Sequence, residues 1–386
     1  MPDSPRSSDA VESRRDAQTA RRPAGDQPVA VLVVGVGHLG RAHARVYREL
    51  EGVRLVGVVD TDPAKAREVG TALDVPYATE VTPSFLDSVH AASVVTPTPA
   101  HYEVASRLVE AGVSVLVEKP MTSTLEEARA LVDLARRHRV TLQVGHIERF
   151  NPVVLAALPH VHDPVFIECD RIHPFSFRSV ETSVVLDLMI HDIDIVLNLV
   201  NSPVARLDAV GARVLSETED LANARITFEN GCTAMFKASR VAIQKNRKMR
   251  IFSASSYISL DYIAKTGMQI SLKESYDRRK IDFAKMATLE DRQGLYPLFT
   301  QFFNIEQLSI SSEEPLKAEL QAFAFAVRTG KKPVVTGEHG LQAMEVATQI
   351  LEQIQTSHDA LLKTRSAQSG SCAANGQLSS ESPEAS

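Results

Sequence analysis

The chain has 386 residues, of which 44% are hydrophobic, and a formal net charge of −6. This length is too great for one ordinary core, so we expect two domains. The net negative charge and the absence of a dense basic block argue against nucleic acid as a partner.

Three cysteines, Cys169, Cys232 and Cys372, lie far apart in the sequence. Their spacing offers neither a metal-binding motif nor a disulfide framework, so we expect no metal site and a reducing, cytoplasmic setting. No apolar run approaches the length of a membrane span, so we expect none.

The two ends of the chain are polar. Residues 1–27 contain arginine pairs at 14–15 and 21–22, but a twin-arginine export signal also needs an independent apolar segment, and the only candidate is the first predicted strand. Acidic residues in the same stretch argue against a mitochondrial transit peptide. We therefore predict a disordered leader over 1–27 and a disordered tail over the Ser/Ala/Gly-rich residues 365–386.

Strand and helix patterns alternate over residues 28–150. Thr124 and Glu127 form a capping box ahead of one predicted helix. The alternation predicts an α/β domain built on a parallel, doubly wound sheet. The predicted strands cover 29–34, 54–59, 91–95, 113–117 and 140–144, and the predicted helices cover 38–49, 99–111 and 125–138, with one more starting near Pro63.

A Gly-x-Gly-x-x-Gly turn follows the first predicted strand. Gly35 permits a sharp turn, Gly37 permits close approach to a pyrophosphate, and Gly40 permits close packing of the next helix. The pyrophosphate would lie among free N–H groups at the start of that helix, near His38 and Leu39. In its strand–turn–helix context, the motif predicts a bound dinucleotide.

Asp60 ends the second apolar run. Its spacing from the glycines is that of the acid that binds the adenosine ribose hydroxyls. A carboxylate there would repel a 2′-phosphate, so NAD is favoured over NADP as the cofactor. Lys65 and Arg67 lie close by in the sequence and keep NADP open as an alternative.

Polar residues follow the next predicted strand, at the edge where open parallel sheets bind their ligands. We predict that Thr96, Pro97, Thr98 and His101 line the nicotinamide half of the cofactor site. An ordinary strand-to-helix turn is the alternative interpretation.

Glu118 and Lys119 end the following strand and precede Pro120. We expect Lys119 to point into the nicotinamide crevice, where its ammonium would polarise a substrate oxygen and stabilise developing alkoxide charge. Glu118 would pair with Lys119 or with the cofactor ribose. The bond before Pro120 is a candidate cis peptide.

An apolar helix predicted over 184–200 is the most informative segment of the second half. Asp187, His191 and Asp194 recur on one face, and buried charge is unfavourable unless it is used or paired. His191 is the candidate general base, and Asp187 would orient its imidazole or hold a substrate hydroxyl. Two alternatives stay open: a metal pair, for which no third ligand is evident nearby, and a hydrogen-bonded core His–Asp pair.

Strand-like segments dominate the rest of the second domain, which we place over 151–364. Their helix-free spacing predicts a large, mostly antiparallel sheet. Two closing helices are expected over 313–329 and 340–356, the last packing back on the first domain. The predicted strands cover 207–215, 222–228, 233–239, 248–253 and 257–262.

Together these segments resemble the glucose–fructose oxidoreductase / inositol dehydrogenase / MocA (Gfo/Idh/MocA) family. The resemblance implies an N-terminal Rossmann domain and a C-terminal α/β domain with an open sheet, whose broad face would form a homodimer or homotetramer. It also implies an oxidoreductase in which Lys119 and His191 are the catalytic pair and Asp187 is the acid on the substrate side. In such enzymes a base takes a sugar hydroxyl proton while hydride passes to the nicotinamide.

A closer likeness, to bacterial nucleotide-sugar dehydrogenases of this family, rests on residues 145–152, 238–241 and 247–251. Those enzymes convert UDP-N-acetylglucosamine to its 3-keto form for lipid A biosynthesis. The likeness implies that Arg149, Asn151 and Arg240 lie on the substrate side. Each arginine would either grip a diphosphate or form an ordinary ion pair.

Two other functions remain open at this point. One is a dehydrogenase of the same family that acts on another sugar, inositol or a polyol. The other is a non-catalytic NAD-binding sensor or scaffold.

Overall fold

The structure is a computed structural model that describes residues 20–176, 180–277, 300 and 302–375, with side chains described up to residue 357. Most of the predicted leader and the end of the predicted tail lie outside the described residues. Among the described helices, none is long and apolar enough to cross a membrane.

Six parallel strands form the first sheet. Their apolar side chains are buried on both faces, which explains why the strands read as unbroken hydrophobic runs. The strands are β1 (Val29–Val34), β2 (Val53–Val59), β3 (Tyr77–Ala78), β4 (Ala91–Val94), β5 (Ser114–Glu118) and β6 (Leu142–Gly145). The helices are α1 (His38–Glu49), α2 (Pro63–Leu73), α3 (Pro83–Leu86), α4 (His101–Glu110) and α5 (Leu125–His138).

The strand order of this sheet is β3-β2-β1-β4-β5-β6. The chain therefore reverses its direction of travel between β1 and β4, and the carboxyl ends of these two strands flank a crevice of the kind that binds nucleotides. The predicted doubly wound sheet is confirmed. So is the capping box of α5, because Thr124 accepts from the Glu127 N–H while Glu127 accepts from the Thr124 N–H.

Eight strands form the second sheet, in the order β14-β13-β12-β11-β7-β10-β9-β8. Among the described strands of this second sheet, only β7 and β10 pair in parallel, so the predicted, mostly antiparallel sheet is confirmed. The strands are β7 (Pro164–Ile172), β8 (Val204–Ala212), β9 (Leu221–Phe228), β10 (Thr233–Ser239), β11 (Asn246–Ser253), β12 (Ser256–Asp261), β13 (Thr266–Leu272) and β14 (Phe303–Gln307).

The prediction omitted β7, although this strand lies near the middle of the sheet. Its inward positions are Ile167, Cys169 and Arg171, so a charged residue occupies a place where the pattern of a half-buried strand requires an apolar one. The two strands β13 and β14 were omitted as well.

The helix predicted over 184–200 contains a π-helical turn, Val185–Met189, that leads into the α-helix α7 (Ile190–Val200). A short helix, α6 (Pro152–Ala157), joins the two domains. The last helices are α8 (Pro315–Thr329) and α9 (Gly337–Asn375).

Helix α9 packs against the first domain. A Cβ placed on Gly340 would overlap the side chain of Val144 in β6, and Thr122 donates to the sulfur of Met344 at 3.8 Å. The helix continues to Asn375, into the segment predicted as a tail. That segment has no proline before Pro383, so nothing in it forces a helix to end.

A buried ion cluster joins the two domains. Arg171 of β7 donates to both oxygens of Asp192 in α7, at 2.9 and 2.7 Å, and to Glu148 after β6, at 3.0 Å. Burial alone would lower the pKa of Arg171, but Asp192 and Glu148 together raise it well above its ordinary value. The cluster therefore holds α7 against both sheets.

We predict that Asp192→Asn lowers the free energy of unfolding by about 3 kcal/mol, because it leaves a buried guanidinium without its bidentate partner. Urea denaturation measures this change. The control is Asp208→Asn, which breaks an exposed pair with Arg206 and should change stability by less than about 1 kcal/mol. Equal effects of the two substitutions would contradict the assignment.

Candidate active site

The glycine turn has a different spatial constraint at each glycine. Gly35 has a φ of +89°, and a Cβ there would lie 2.6 Å from the carbonyl oxygen of Val95. A Cβ on Gly40 would overlap the carbonyl oxygen of Gly35, whereas a Cβ on Gly37 would have nothing within 4 Å. The turn and the close helix packing therefore need Gly35 and Gly40, and open space lies beside Gly37.

The start of α1 offers free hydrogen-bond donors. No side chain caps this helix, which begins at His38, so the N–H groups of its first turn stay available to a ligand, and open space lies beside Gly37 at the same end. Asp60 accepts from the Val36 N–H at 2.8 Å and from the Asp62 N–H at 3.0 Å. It thus braces the turn, and its second lone pairs stay available to a ribose. These groups fit the pyrophosphate and ribose of a dinucleotide.

The segment after β4 has a structural part and an open part. His101 is buried, and its ring nitrogens lie 2.9 Å from the Pro120 carbonyl oxygen and 2.8 Å from that of Thr96. Burial lowers its pKa, so a neutral ring donates to one of the two carbonyls and is held between the two loops. The Thr96 hydroxyl is buried without a partner among the described residues, which suits an additional ligand.

Lys119 follows β5, and the peptide bond between it and Pro120 is cis, as predicted. Its ammonium donates to the Asp187 carbonyl at 2.7 Å and to the Asp187 carboxylate at 3.1 Å. Glu118 does not bind the Lys119 ammonium. It accepts from the Lys119 backbone N–H at 3.3 Å, and its other oxygen lies 3.2 Å from His43 Nε2. Glu118 thus positions the strand end beneath the crevice.

His191 lies in the same crevice, on α7. Burial lowers its pKa well below the ordinary value, and the positive charges of Lys119 and Arg171 act in the same direction. The imidazole is therefore neutral at pH 7, the form that accepts a proton. The structure describes no hydrogen bond between Asp187 and His191. Asp187 binds Lys119 instead, so the interpretation in which it orients the imidazole is not supported.

A cavity of about 380 Å³ lies between the two domains and contains these groups. It brings together four of the predicted site residues, Lys119, Asp187, His191 and Arg240. Residues of both domains contribute to its wall. The lining also includes Glu148, Arg171, His173 and Arg247, which the sequence analysis did not assign to the site.

Arg149 and Asn151 do not line this cavity. Arg149 is buried, 3.4 Å from Asp194 and 3.5 Å from the Val334 carbonyl oxygen. Asn151 caps α6 by accepting from the Val153 N–H at 3.0 Å. The chain after β6 turns tightly over Ile147–Phe150, and this turn directs Glu148 toward the cavity and its neighbour Arg149 away. We therefore do not retain Arg149 and Asn151 as substrate ligands.

The comparisons with known proteins agree with this two-domain site. Residues 29–146 match a family model described as an oxidoreductase family with an NAD-binding Rossmann fold, and residues 170–257 match the Gfo/Idh/MocA C-terminal domain. The chain belongs to the Gfo/Idh/MocA oxidoreductase family. Its first domain is accordingly an NAD-binding Rossmann domain.

Named relatives extend this finding. UDP-N-acetylglucosamine 3-dehydrogenase of Acidithiobacillus ferrooxidans is 33% identical over 82% of this chain and 95% of that protein. A crystal structure of that enzyme superposes with a TM-score of 0.75 and 31% identity, over 85% of this chain and 97% of the other. The scyllo-inositol 2-dehydrogenase (NAD(+)) of Bacillus subtilis is 26% identical over 81% and 90% of the two chains.

One solved neighbour contains the cofactor. An oxidoreductase from Agrobacterium radiobacter, in complex with NAD+ and L-tartaric acid, has a TM-score of 0.72 at 15% identity, over 86% of this chain and 97% of that chain, and it shares the fold. The family assignment, together with the relative of 33% identity, makes the chain an NAD-dependent oxidoreductase that acts on CH–OH groups of the sugar type. The alternative of a non-catalytic sensor is set aside.

We predict that Gly37→Ala weakens NAD binding by about tenfold or more, because the new methyl group occupies the open space beside the free N–H groups. The backbone of Gly37, with φ −63° and ψ −160°, accepts alanine, so the thermal unfolding midpoint should be unchanged. Calorimetric titration and thermal denaturation measure the two quantities.

Gly40→Ala is the matched comparison for that variant. Its methyl group would overlap the Gly35 carbonyl oxygen, so it should lower the unfolding midpoint. If Gly37→Ala unfolds as readily as Gly40→Ala, or binds NAD as tightly as the parent, the assignment is wrong.

Proposed function

We propose that this protein oxidises UDP-N-acetylglucosamine to its 3-keto form with NAD as hydride acceptor. The observation that carries the proposal is the cationic wall of the interdomain cavity, formed by Arg171, Arg240 and Arg247 beside Lys119 and His191. A nucleotide-sugar brings a diphosphate to such a wall, whereas inositol brings none. The named relative with 33% identity supports the same substrate.

Two of the three arginines already have strong partners. Arg171 is held by Asp192 and Glu148. Arg240 lies 3.5 Å from the Asp220 carboxylate and donates to two backbone carbonyls, those of Thr182 and Glu219. The contacts of Arg240 keep its guanidinium against its own domain.

The guanidinium of Arg247 is only weakly paired with the described residues. Its nearest carboxylate oxygen, that of Glu148, lies 3.9 Å away and is shared with Arg171. Its Nε is buried and has no hydrogen-bond partner among the described residues. Burial lowers the pKa of Arg247, as does the neighbouring charge of Arg171. A diphosphate would supply the missing acceptors by bidentate hydrogen bonds, so we place Arg247, ahead of Arg240, as the diphosphate ligand.

The chemistry uses the groups that meet at the end of β5 and on α7. Lys119 would donate to the reacting hydroxyl oxygen, whose negative charge grows as the bond to hydrogen breaks. Neutral His191 would take the hydroxyl proton. Asp187 holds the lysine ammonium in the crevice and would be free to accept from a second substrate hydroxyl. NAD, when bound, accepts the hydride from the carbon that carries this hydroxyl.

A substrate panel tests the proposal. Purified protein is incubated with NAD and UDP-N-acetylglucosamine, UDP-glucose, N-acetylglucosamine or inositol, and reduced nicotinamide is followed by absorbance. A keto acid is added in a parallel series to reoxidise any NADH that stays bound. We expect oxidation of UDP-N-acetylglucosamine, and oxidation of inositol alone would overturn the proposal. Lys119→Ala should lose turnover and keep NAD binding.

We predict that Arg247→Gln raises the KM for UDP-N-acetylglucosamine by about tenfold or more and weakens binding of UDP by a similar factor, since a charge-assisted bidentate contact is lost. The control is Arg250→Gln on the same strand. Arg250 pairs with Glu168 and Asp170 on the other face of the sheet, so its replacement should leave both quantities unchanged. Equal effects of the two variants would remove Arg247 from the site.

A homo-oligomer formed through the broad face of the second sheet, and a role in lipid A biosynthesis, stay predictions.

A further inference from the structure

A second cavity, of about 230 Å³, lies further along α7 from the active site, toward the C-terminal end of the helix. Asn198, Asn201 and Gln342 are exposed at its mouth, and Arg149 and Asp194 are buried at its floor. Its lining is almost wholly polar, with Leu197 as the one apolar member among the described residues. The same helix thus presents His191 to the first cavity and Asp194 to the second.

Three buried polar atoms, in two residues that line these cavities and in one electrostatic neighbour of both, have no hydrogen-bond partner in the described part of the chain. They are Nδ1 of His191, Nδ1 of His146 and Oδ2 of Asp194. His191 and Asp194 are neighbours one turn apart on α7, since residues three apart share a helix face. His146 follows β6, and its backbone carbonyl oxygen accepts from the backbone N–H of Arg149, whose side chain pairs with Asp194.

Buried polar atoms without a protein partner are normally satisfied by ordered water. Water between these three atoms would join the base of the active site to the second cavity. A sugar oxidation needs such a route. When substrate and cofactor fill the first cavity, they separate His191 from the solvent on that side, and the proton that His191 has taken must leave before the next turnover.

We propose that this proton leaves through His146 and Asp194 into the second cavity. In the reaction, the substrate carbon gives its hydride to NAD, its C–O bond becomes a carbonyl, and the hydroxyl proton goes to His191. The imidazolium then gives up a proton by way of ordered water to His146, and Asp194 passes it to solvent. The inference rests on the proposed dehydrogenase activity and holds for any sugar substrate.

The charges around His146 agree with this direction. Burial lowers the pKa of His146, and the Asp194 carboxylate acts against that shift by favouring the protonated ring. Arg149 and Lys119 oppose protonation, and Glu118 favours it. His191, with its strongly lowered pKa, forms an imidazolium that gives its proton away readily. The lowered pKa of His191 and the negative charge of Asp194 acting on His146 therefore both favour movement of the proton from His191 toward His146.

The first test compares Asp194→Asn with Arg149→Gln. Both break the same ion pair, but only the first removes the carboxylate. We expect Asp194→Asn to form the first NADH of each site at the parent rate and then to turn over at least about tenfold more slowly, with recovery in formate buffer, whose small anion enters the second cavity. Arg149→Gln should show neither the burst nor the recovery.

Two results would overturn the relay. One is an Asp194→Asn enzyme with parental steady-state turnover. The other is one whose loss shows no burst and no formate recovery, which would match a structural role. His146→Gln interrupts the same route from the first domain and provides a second variant should Asp194→Asn fail to fold.

The second test does not depend on turnover. Histidine NMR of the protein without substrate follows the titration of His146, whose pKa should fall in Asp194→Asn and rise in Arg149→Gln. An unchanged His146 titration in Asp194→Asn would overturn the relay. A parent protein that oxidises no sugar but shows these shifts would contradict the proposed function and leave the electrostatic link intact, so the two failures are distinguishable.

Discussion

The arrangement of the active site depends on one buried guanidinium. Arg171 stands at an inward position of β7, and its bonds reach Asp192 on α7 and Glu148 after β6. A buried charge of this kind is unfavourable unless every bond is made, so it constrains the positions of a strand, a helix and a loop at once. Asp187 and His191 belong to the element so held, and Lys119 meets them from the first sheet.

The sequence predicted most of the first domain because its strands are buried on both faces and its helices carry ordinary start signals. It could not predict β7, since the inward Arg171 breaks the alternation that identifies a strand. The active site was predictable in part. Strand ends locate Lys119, and helical spacing locates His191, but the partners of each side chain come from the other domain.

The misplacement of Arg149 has a different cause. Local sequence placed Glu148 and Arg149 side by side beyond a strand end, and the direction of each side chain depends on the rotation of a single tight turn. Only tertiary packing decides that rotation, because Arg149 is drawn to Asp194 and Glu148 to Arg171. Arg247 shows the converse. Its segment carried a family resemblance but no predicted site residue, and the fold brings its side chain to the cavity wall.

The π-helical turn at Val185–Met189 sets the angle between two active-site residues, and evolution can alter that angle in a single step. A π turn is a regular helix with one residue added, so its gain or loss rotates everything before it relative to everything after it. Asp187 lies inside the turn and His191 lies beyond it. A single inserted or deleted codon would therefore reset the angle between the lysine-holding acid and the base, while the packing of α7 against both sheets stays as it is.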